Sequence, residues 1–215
     1  MDHCVTSILV GGIIDKIVDY YFSTSSPWTY LGHGRLVALA AEHGARVNVK
    51  PVDLAHGVFP ISGGLPVAKR PKQRIAYRSV ELKRWSHHLG IPLNLTPRFF
   101  PVASDLAARS IVSADNARGA NTALDFAGRI MTSVWTEEGN IADPDTLMRI
   151  ASASGLDGRA LLSSAEIDEV KDRYAQYTRE AIERQVFGAP FYIYRDEPFW
   201  GQDRPDFLER ALSAS

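Results

Sequence analysis

Three short stretches of this chain gather residues whose types and order could do chemistry. In Ser23-Thr24-Ser25-Ser26-Pro27, a run of hydroxyls precedes a proline, and a helical pattern begins at Trp28. A Ser or Thr ahead of a helix caps its orphan N–H groups, and proline suits the first turn because it has no N–H to satisfy. A helix start also presents unpaired donors and the positive end of the macrodipole, so it favours an anion. Ser26 sits at that mouth, with Thr24 and Ser25 as rival hydroxyls. Taken alone, a Ser-Pro pair is most often only a cap. The second stretch is Gly188-Ala189-Pro190, directly ahead of the β-prone run Phe191-Tyr192-Ile193-Tyr194. The third, Gly201-Gln202-Asp203-Arg204, opens the last helix. There a carboxylate can receive an ammonium while backbone donors receive a carboxylate, although by itself it reads as a capping Asp beside a solvated Arg.

The elements around these stretches follow from pattern. Val18 to Phe22 is rich in β-branched and aromatic residues, as a buried strand is. The helix after it is expected to bury a stripe of Tyr30, Leu31, Gly34, Val37, Ala38 and Ala41, and to end at Gly44. Arg46 to Val52 alternates, which makes a second strand, parallel to the first, with Pro51 marking an edge. His56 to Pro71 reads as a long loop with little regular structure. Helices follow at Arg74–Leu89, Ala103–Ala114, Asn116–Trp135, Thr146–Ala153 and Ala165–Gln185. Strands resume at Phe191–Tyr194 and Phe199–Trp200, before a final helix from Pro205. The fold class is α/β: a thioredoxin-like sheet (βαβ…ββα) interrupted by a large all-helical insertion. Residues 17–56 and 179–215 form the thioredoxin-like part, residues 57–178 the insertion, and residues 1–16 an extension expected to be disordered. In a thioredoxin-like setting the Ala189-Pro190 bond is expected to be cis, which turns the preceding backbone outward toward a peptide ligand.

On that frame the three stretches match a tripeptide with an amino-acid end, an extended middle and a thiol aimed at Ser26, which is glutathione. Serine cannot form a mixed disulfide, but its O–H can donate to a thiolate, and the helix dipole lowers the thiol pKa further.

The chain resembles the 2-hydroxychromene-2-carboxylate isomerases, in the DsbA-like branch of the thioredoxin fold, close to kappa-class glutathione transferases. The likeness rests on Val18-Asp19-Tyr20-Tyr21-Phe22, Ser26-Pro27-Trp28-Thr29-Tyr30-Leu31, Val80-Glu81-Leu82-Lys83-Arg84-Trp85, Val186-Phe187-Gly188-Ala189-Pro190 and Phe199-Trp200-Gly201-Gln202-Asp203-Arg204. It implies a glutathione-dependent cis–trans isomerase that opens 2-hydroxychromene-2-carboxylate-type compounds to the trans-hydroxybenzylidenepyruvate form in aromatic hydrocarbon catabolism. It places the catalytic serine at Ser26 and further glutathione contacts at Lys72, Ala189, Pro190, Asp203 and Arg204. Lys69 and Arg74 are the other basic residues that could meet a carboxylate, and the family's Asn in that loop is Ala68 here. Trp28, Tyr77, Phe99 and Trp200 are expected to line the pocket for a flat aromatic 2-oxo or hydroxy acid. Phe100 is a further candidate, and Trp85 reads as core. Relatives suggest a homodimer.

Composition narrows the alternatives. The formal net charge of the 215 residues is -1, so neither nucleic acid nor an anionic membrane is an expected partner. No stretch is long enough to span a bilayer. The apolar run Ser7–Ile14 reads as an extension or a mis-assigned start rather than a signal peptide. Cys4 is the single cysteine, which excludes dithiol exchange and suits a reducing, cytoplasmic setting. The six histidines include one close pair, His87-His88, whose side chains diverge on a helix, so no metal site is expected. Two other readings remain open: a kappa-like transferase or peroxidase that consumes glutathione, and a non-catalytic thioredoxin-like module that holds peptides.

Overall fold

A computed structural model describes residues 16–214. The expectations for residues 1–15, Cys4 and the apolar run among them, lie outside the described residues. Strand β1 (Ile17–Phe22) leads into helix α1 (Pro27–Glu42), which returns the chain to β2 (Arg46–Pro51). A helical stretch then holds α2 (Phe59–Ser62), α3 (Lys72–Leu89), α4 (Asp105–Arg118), α5 (Ala120–Thr136), α6 (Pro144–Ala153), α7 (Gly158–Ala165) and α8 (Asp168–Glu183). Strands β3 (Phe191–Tyr194) and β4 (Glu197–Trp200) and helix α9 (Pro205–Ser213) complete the chain. The sheet order is β2-β1-β3-β4, with β1 parallel to β2 and antiparallel to β3. The thioredoxin-like sheet with a helical insertion is therefore present, and β2 is an edge strand, in keeping with Pro51.

Alternation along the strands assigns the two faces of the sheet. Val18, Tyr20, Phe22, Val47, Val49, Tyr192 and Tyr194 join one continuous core with Leu36 of α1, Ile111 of α4, Phe126 and Ile130 of α5 and Leu208 of α9. Tyr21, Phe191 and Ile193 point the other way and meet Ala181 of α8. On that second face the Lys50 ammonium bridges Asp19 (2.8 Å) and Glu180 (2.6 Å), tying β1 and β2 to α8. The α5 stripe expected from the sequence, Leu124, Phe126, Ile130, Met131 and Val134, is buried.

Several expectations are corrected. The buried face of α1 is Leu31, Gly32, His33, Leu36, Leu39 and Ala40, while Gly34, Val37, Ala38 and Ala41 face solvent. This helix meets β1 through His33 and Leu36 and packs against α3, α5 and α9, so burial follows its neighbours rather than its most apolar stripe. The segment from His56 to Pro71 is more regular than a loop. A wide helical turn at Leu54–Val58, capped by Asp53, runs into α2, and a tight turn follows at Val67–Lys69. Helix α7, opened by the Asp157 cap, was not expected. Trp85 is only half-buried, edge-on to His88, because Leu82 alone of α3 is fully buried.

Candidate active site

The β1–α1 junction builds the centre of the site. Ser26 is the N-cap of α1: its backbone is extended, Pro27 follows in the first turn, and its Oγ accepts from the Thr29 N–H at 3.2 Å. Pro27 has no N–H and Thr29 is engaged, so the Trp28 amide is the first-turn donor without a partner among the described residues. The Ser26 hydroxyl proton is likewise uncommitted, since the cap uses only a lone pair of the oxygen. Thr24 is buried at 1 % exposure and does not line the cavity, which removes it as a rival. Ser25 does line the cavity, but its hydroxyl is shared with Ser23 at 3.3 Å.

This junction opens into a cavity of about 1170 Å³. This lies just above the upper end of the roughly 300–1,000 Å³ typical of small-molecule clefts. Its walls come from two of the three stretches and from the insertion: Ser26 and Trp28 at α1, Arg74 and Tyr77 from α3, Ala189 before β3, and Trp200 from β4, whereas residues 201–204 do not line it. The Ala189-Pro190 bond is cis, as expected, and Ala189 makes no backbone hydrogen bond among the described residues. Gly188 is required beside it: a Cβ there would lie 2.5 Å from the Trp200 indole nitrogen. Phe187 packs edge-on against the same indole, with ring centroids 4.7 Å apart, which fixes that wall.

Not every expected residue reaches the cavity. Lys72 is exposed and does not line it, because the inward face of α3 carries Arg74, Tyr77, Arg78 and Glu81, with Arg70 just before the helix. Position 72 lies about half a turn away from 70 and 74 at 3.6 residues per turn. Phe99 is also corrected: it carries the Arg98 guanidinium over its ring, and Phe100, packed on Trp135 at 4.9 Å, lines the cavity instead. Pro190 lies behind Ala189, its carbonyl accepting from Gly201 N–H at 3.0 Å. Asp203 and Arg204, at the start of α9, pair with each other at 2.6 Å and are not among the lining residues. Arg70, Arg78 and Phe187 line the cavity without having been expected there; the four-residue spacing of Arg74 and Arg78 in the helical run was the signal that could have found Arg78.

Behind the site, His33 locks α1 to the sheet. Its Nδ1 accepts from the Tyr20 hydroxyl at 3.1 Å, and its Nε2–H donates to the Leu124 carbonyl at 2.9 Å, the roles that a neutral ring fills. Burial lowers its pKa to about 4, against weaker opposing effects of Leu124 and Asp125. Tyr20 stacks on Phe22 and Tyr192, so this layer is rigid.

Fold and site together define a DSBA-like thioredoxin domain, and the family profile of that description matches residues 17–213. The chain is 32% identical over 197 residues to the 2-hydroxychromene-2-carboxylate isomerase of Pseudomonas putida, covering 91% of this chain and 94% of that protein. It therefore belongs to the 2-hydroxychromene-2-carboxylate isomerase family. A solved 2-hydroxychromene-2-carboxylate isomerase superposes with a TM-score of 0.75 at 30% identity, covering 92% of this chain and 95% of that one. The cytosolic disulfide reductase DsbM from Pseudomonas aeruginosa, solved with GSH, shares the fold at a TM-score of 0.67 and 16% identity, covering 92% and 98% of the two chains.

Proposed function

We propose that this chain is a glutathione-dependent isomerase acting on 2-hydroxychromene-2-carboxylate-type aromatic acids. The observation that carries the reading is Ser26: a helix-capping hydroxyl with a spare proton, opening onto a cavity that also exposes Ala189 and aromatic walls. The family relatives named as isomerases supply the reaction class.

The residues present suit glutathione. Ala189 has an unclaimed backbone edge for an extended peptide, and the α1 mouth offers the Trp28 N–H and the Ser26 hydroxyl to a thiolate. Asp203 and Arg204 would receive the γ-glutamyl end by opening their mutual ion pair, which is part-exposed and so costs little to break. A neighbour of the same fold is described with GSH, which supports the fold as a host for the tripeptide. When bound, glutathione supplies a thiolate that adds to a conjugated carbon, lets a formerly double bond rotate, and leaves again unconsumed. Ser26 donates to that sulfur and, with the α1 dipole, favours its charged form at neutral pH. Trp28, Tyr77, Phe100 and Trp200 hold the flat ring and exclude water from it. The thiol must stay reduced, which agrees with the cytoplasmic setting expected from cysteine usage.

The test is a spectrophotometric assay of purified protein with a hydroxychromene carboxylate, with and without glutathione. Turnover that requires the thiol and leaves its concentration unchanged is the expected result. A stoichiometric conjugate would make the protein a transferase instead, and binding without either would make it a peptide-holding module.

A further inference from the structure

Three arginines face the cavity, Arg70 just before α3 and Arg74 and Arg78 on it; Arg74 is exposed to solvent, whereas Arg78 is part-buried and has no acceptor among the described residues. Arg70 donates from Nε to the Leu65 carbonyl at 2.7 Å. Arg84, further along the helix, is held by Glu81 at 2.6 Å. Arg78, between them and facing the cavity, enters no ion pair or hydrogen bond among the described residues, and its Nη2 is closed off from solvent with its protons unsatisfied. Its guanidinium lies over the Phe100 ring, with the central carbon 5.5 Å from the centroid. The carboxylates on the same wall are already engaged. Asp53 accepts from the His56 N–H at 2.9 Å and faces its imidazole, Asp105 accepts from the Tyr174 hydroxyl at 3.1 Å, and Glu81 holds Arg84.

A guanidinium withdrawn from water without an acceptor is costly, and like charges nearby add to that cost. Burial first, and then Arg70, bring the Arg78 pKa down to about 10; burial and then Arg74 lower that of Arg70. The fixed plane of the Arg78 fork, held on an aromatic ring, suits two parallel hydrogen bonds to a planar anion. Lysine could not reproduce that geometry.

We infer that Arg78, stacked on Phe100, receives the carboxylate of the aromatic acid in this cavity and is the residue that selects acids over neutral analogues. The inference rests on the isomerase reading for the identity of the ligand, and on the unpartnered fork for its position. Arg70 and Arg74 act at longer range by making the wall positive. Arg78 is thus a specificity-determining residue, and its loss weakens binding of acids while leaving the ring pocket intact.

The test uses the full chain without glutathione, titrated with coumarin-3-carboxylate and its neutral carboxamide and read by fluorescence. Wild type is expected to bind the acid about 10- to 100-fold tighter than the amide, the range that a charged, two-pronged hydrogen bond gives. Arg78→Gln should bind both alike, at the amide affinity of wild type. Arg78→Lys, which keeps the charge and the fold but loses the fork, should retain only part of the preference. Arg129→Gln, on the exposed face of α5, should match wild type. A full acid preference in Arg78→Gln or Arg78→Lys overturns the inference, as does a wild type that fails to prefer the acid. Turnover is scored separately on wild type with the chromene substrate. A missing glutathione requirement there sinks the isomerase reading, while the acid preference of the unloaded protein still decides the role of Arg78.

Discussion

Replacing Ser26 by alanine removes two contributions from one oxygen, and the structure separates them. As N-cap, Oγ accepts from Thr29 N–H at 3.2 Å, the long end of the usual range. Loss of a cap costs about 1 kcal/mol, which in a chain of this size lowers Tm by about 2–4 °C. As donor, the same hydroxyl is expected to hold the thiolate of bound glutathione. Its removal should raise the bound thiol pKa, because a donor to the charged form has gone while the α1 dipole stays. The rate at neutral pH should fall about 10²-fold, the effect of losing one preorganised donor. Glutathione affinity should change little, since most of its contacts lie along the peptide. Ser26→Asp keeps the cap but has no hydroxyl and adds negative charge, so it should keep Tm and lose the activity. The assay follows thiolate absorbance of bound glutathione against pH, in parallel with turnover and thermal unfolding, for wild type and both variants. If the thiol titrations coincide and turnover is unchanged in Ser26→Ala, Ser26 is only a cap and the proposed chemistry is wrong.

Three further outcomes test the packing that holds the site. His33 has a pKa near 4 in the folded chain and the ordinary value near 6.5 when unfolded, so the unfolded state binds the extra proton first as pH falls. Its contribution is therefore intact above pH 6.5 and is lost between pH 6.5 and 4, by about 2 kcal/mol at pH 5; urea unfolding of wild type against His33→Gln checks this, and equal pH slopes in the two would refute it. Gly32→Ala places a Cβ 2.9 Å from the Tyr192 hydroxyl and 3.1 Å from the Gln202 backbone, so it should destabilise by about 1–3 kcal/mol despite the better helix propensity. Gly34→Ala, two residues on, meets nothing within 4 Å and should instead stabilise by up to about 1 kcal/mol, and two variants of equal Tm would contradict this reading of α1. Lys50→Met strands Asp19 and Glu180 without their cation and should cost about 2–4 kcal/mol in denaturant unfolding, less than a fully buried pair because both carboxylates still reach some solvent.

The parts of the protein that were legible in the sequence are those decided by neighbours along the chain. Strand β1, the Ser26-Pro27 cap and the α5 stripe each follow from residues within a few positions of one another, and each is present. The absence of any cysteine after Cys4 excluded dithiol chemistry at the α1 mouth without reference to a fold. The misses share a different origin. The buried face of α1 includes Gly32 and His33, which no hydrophobicity pattern selects. Gly32 is set by the close approach of Tyr192 and Gln202, and His33 by acceptance from Tyr20 and donation to Leu124, 91 residues further along the chain. Lys72 and Phe99 are of the right types, but whether a side chain reaches the cavity depends on a rotation of about half a turn in α3 and on which of two adjacent phenylalanines packs against Trp135. The sequence by itself determined the fold class, the capping serine and the exclusion of thiol exchange, because these rest on local backbone preferences and on composition. Only the tertiary structure decided that Arg78 rather than Lys72 faces the cavity and that Phe100 rather than Phe99 walls it. Those choices arise from packing between elements distant in sequence, where burial and steric fit outweigh any single residue's propensity.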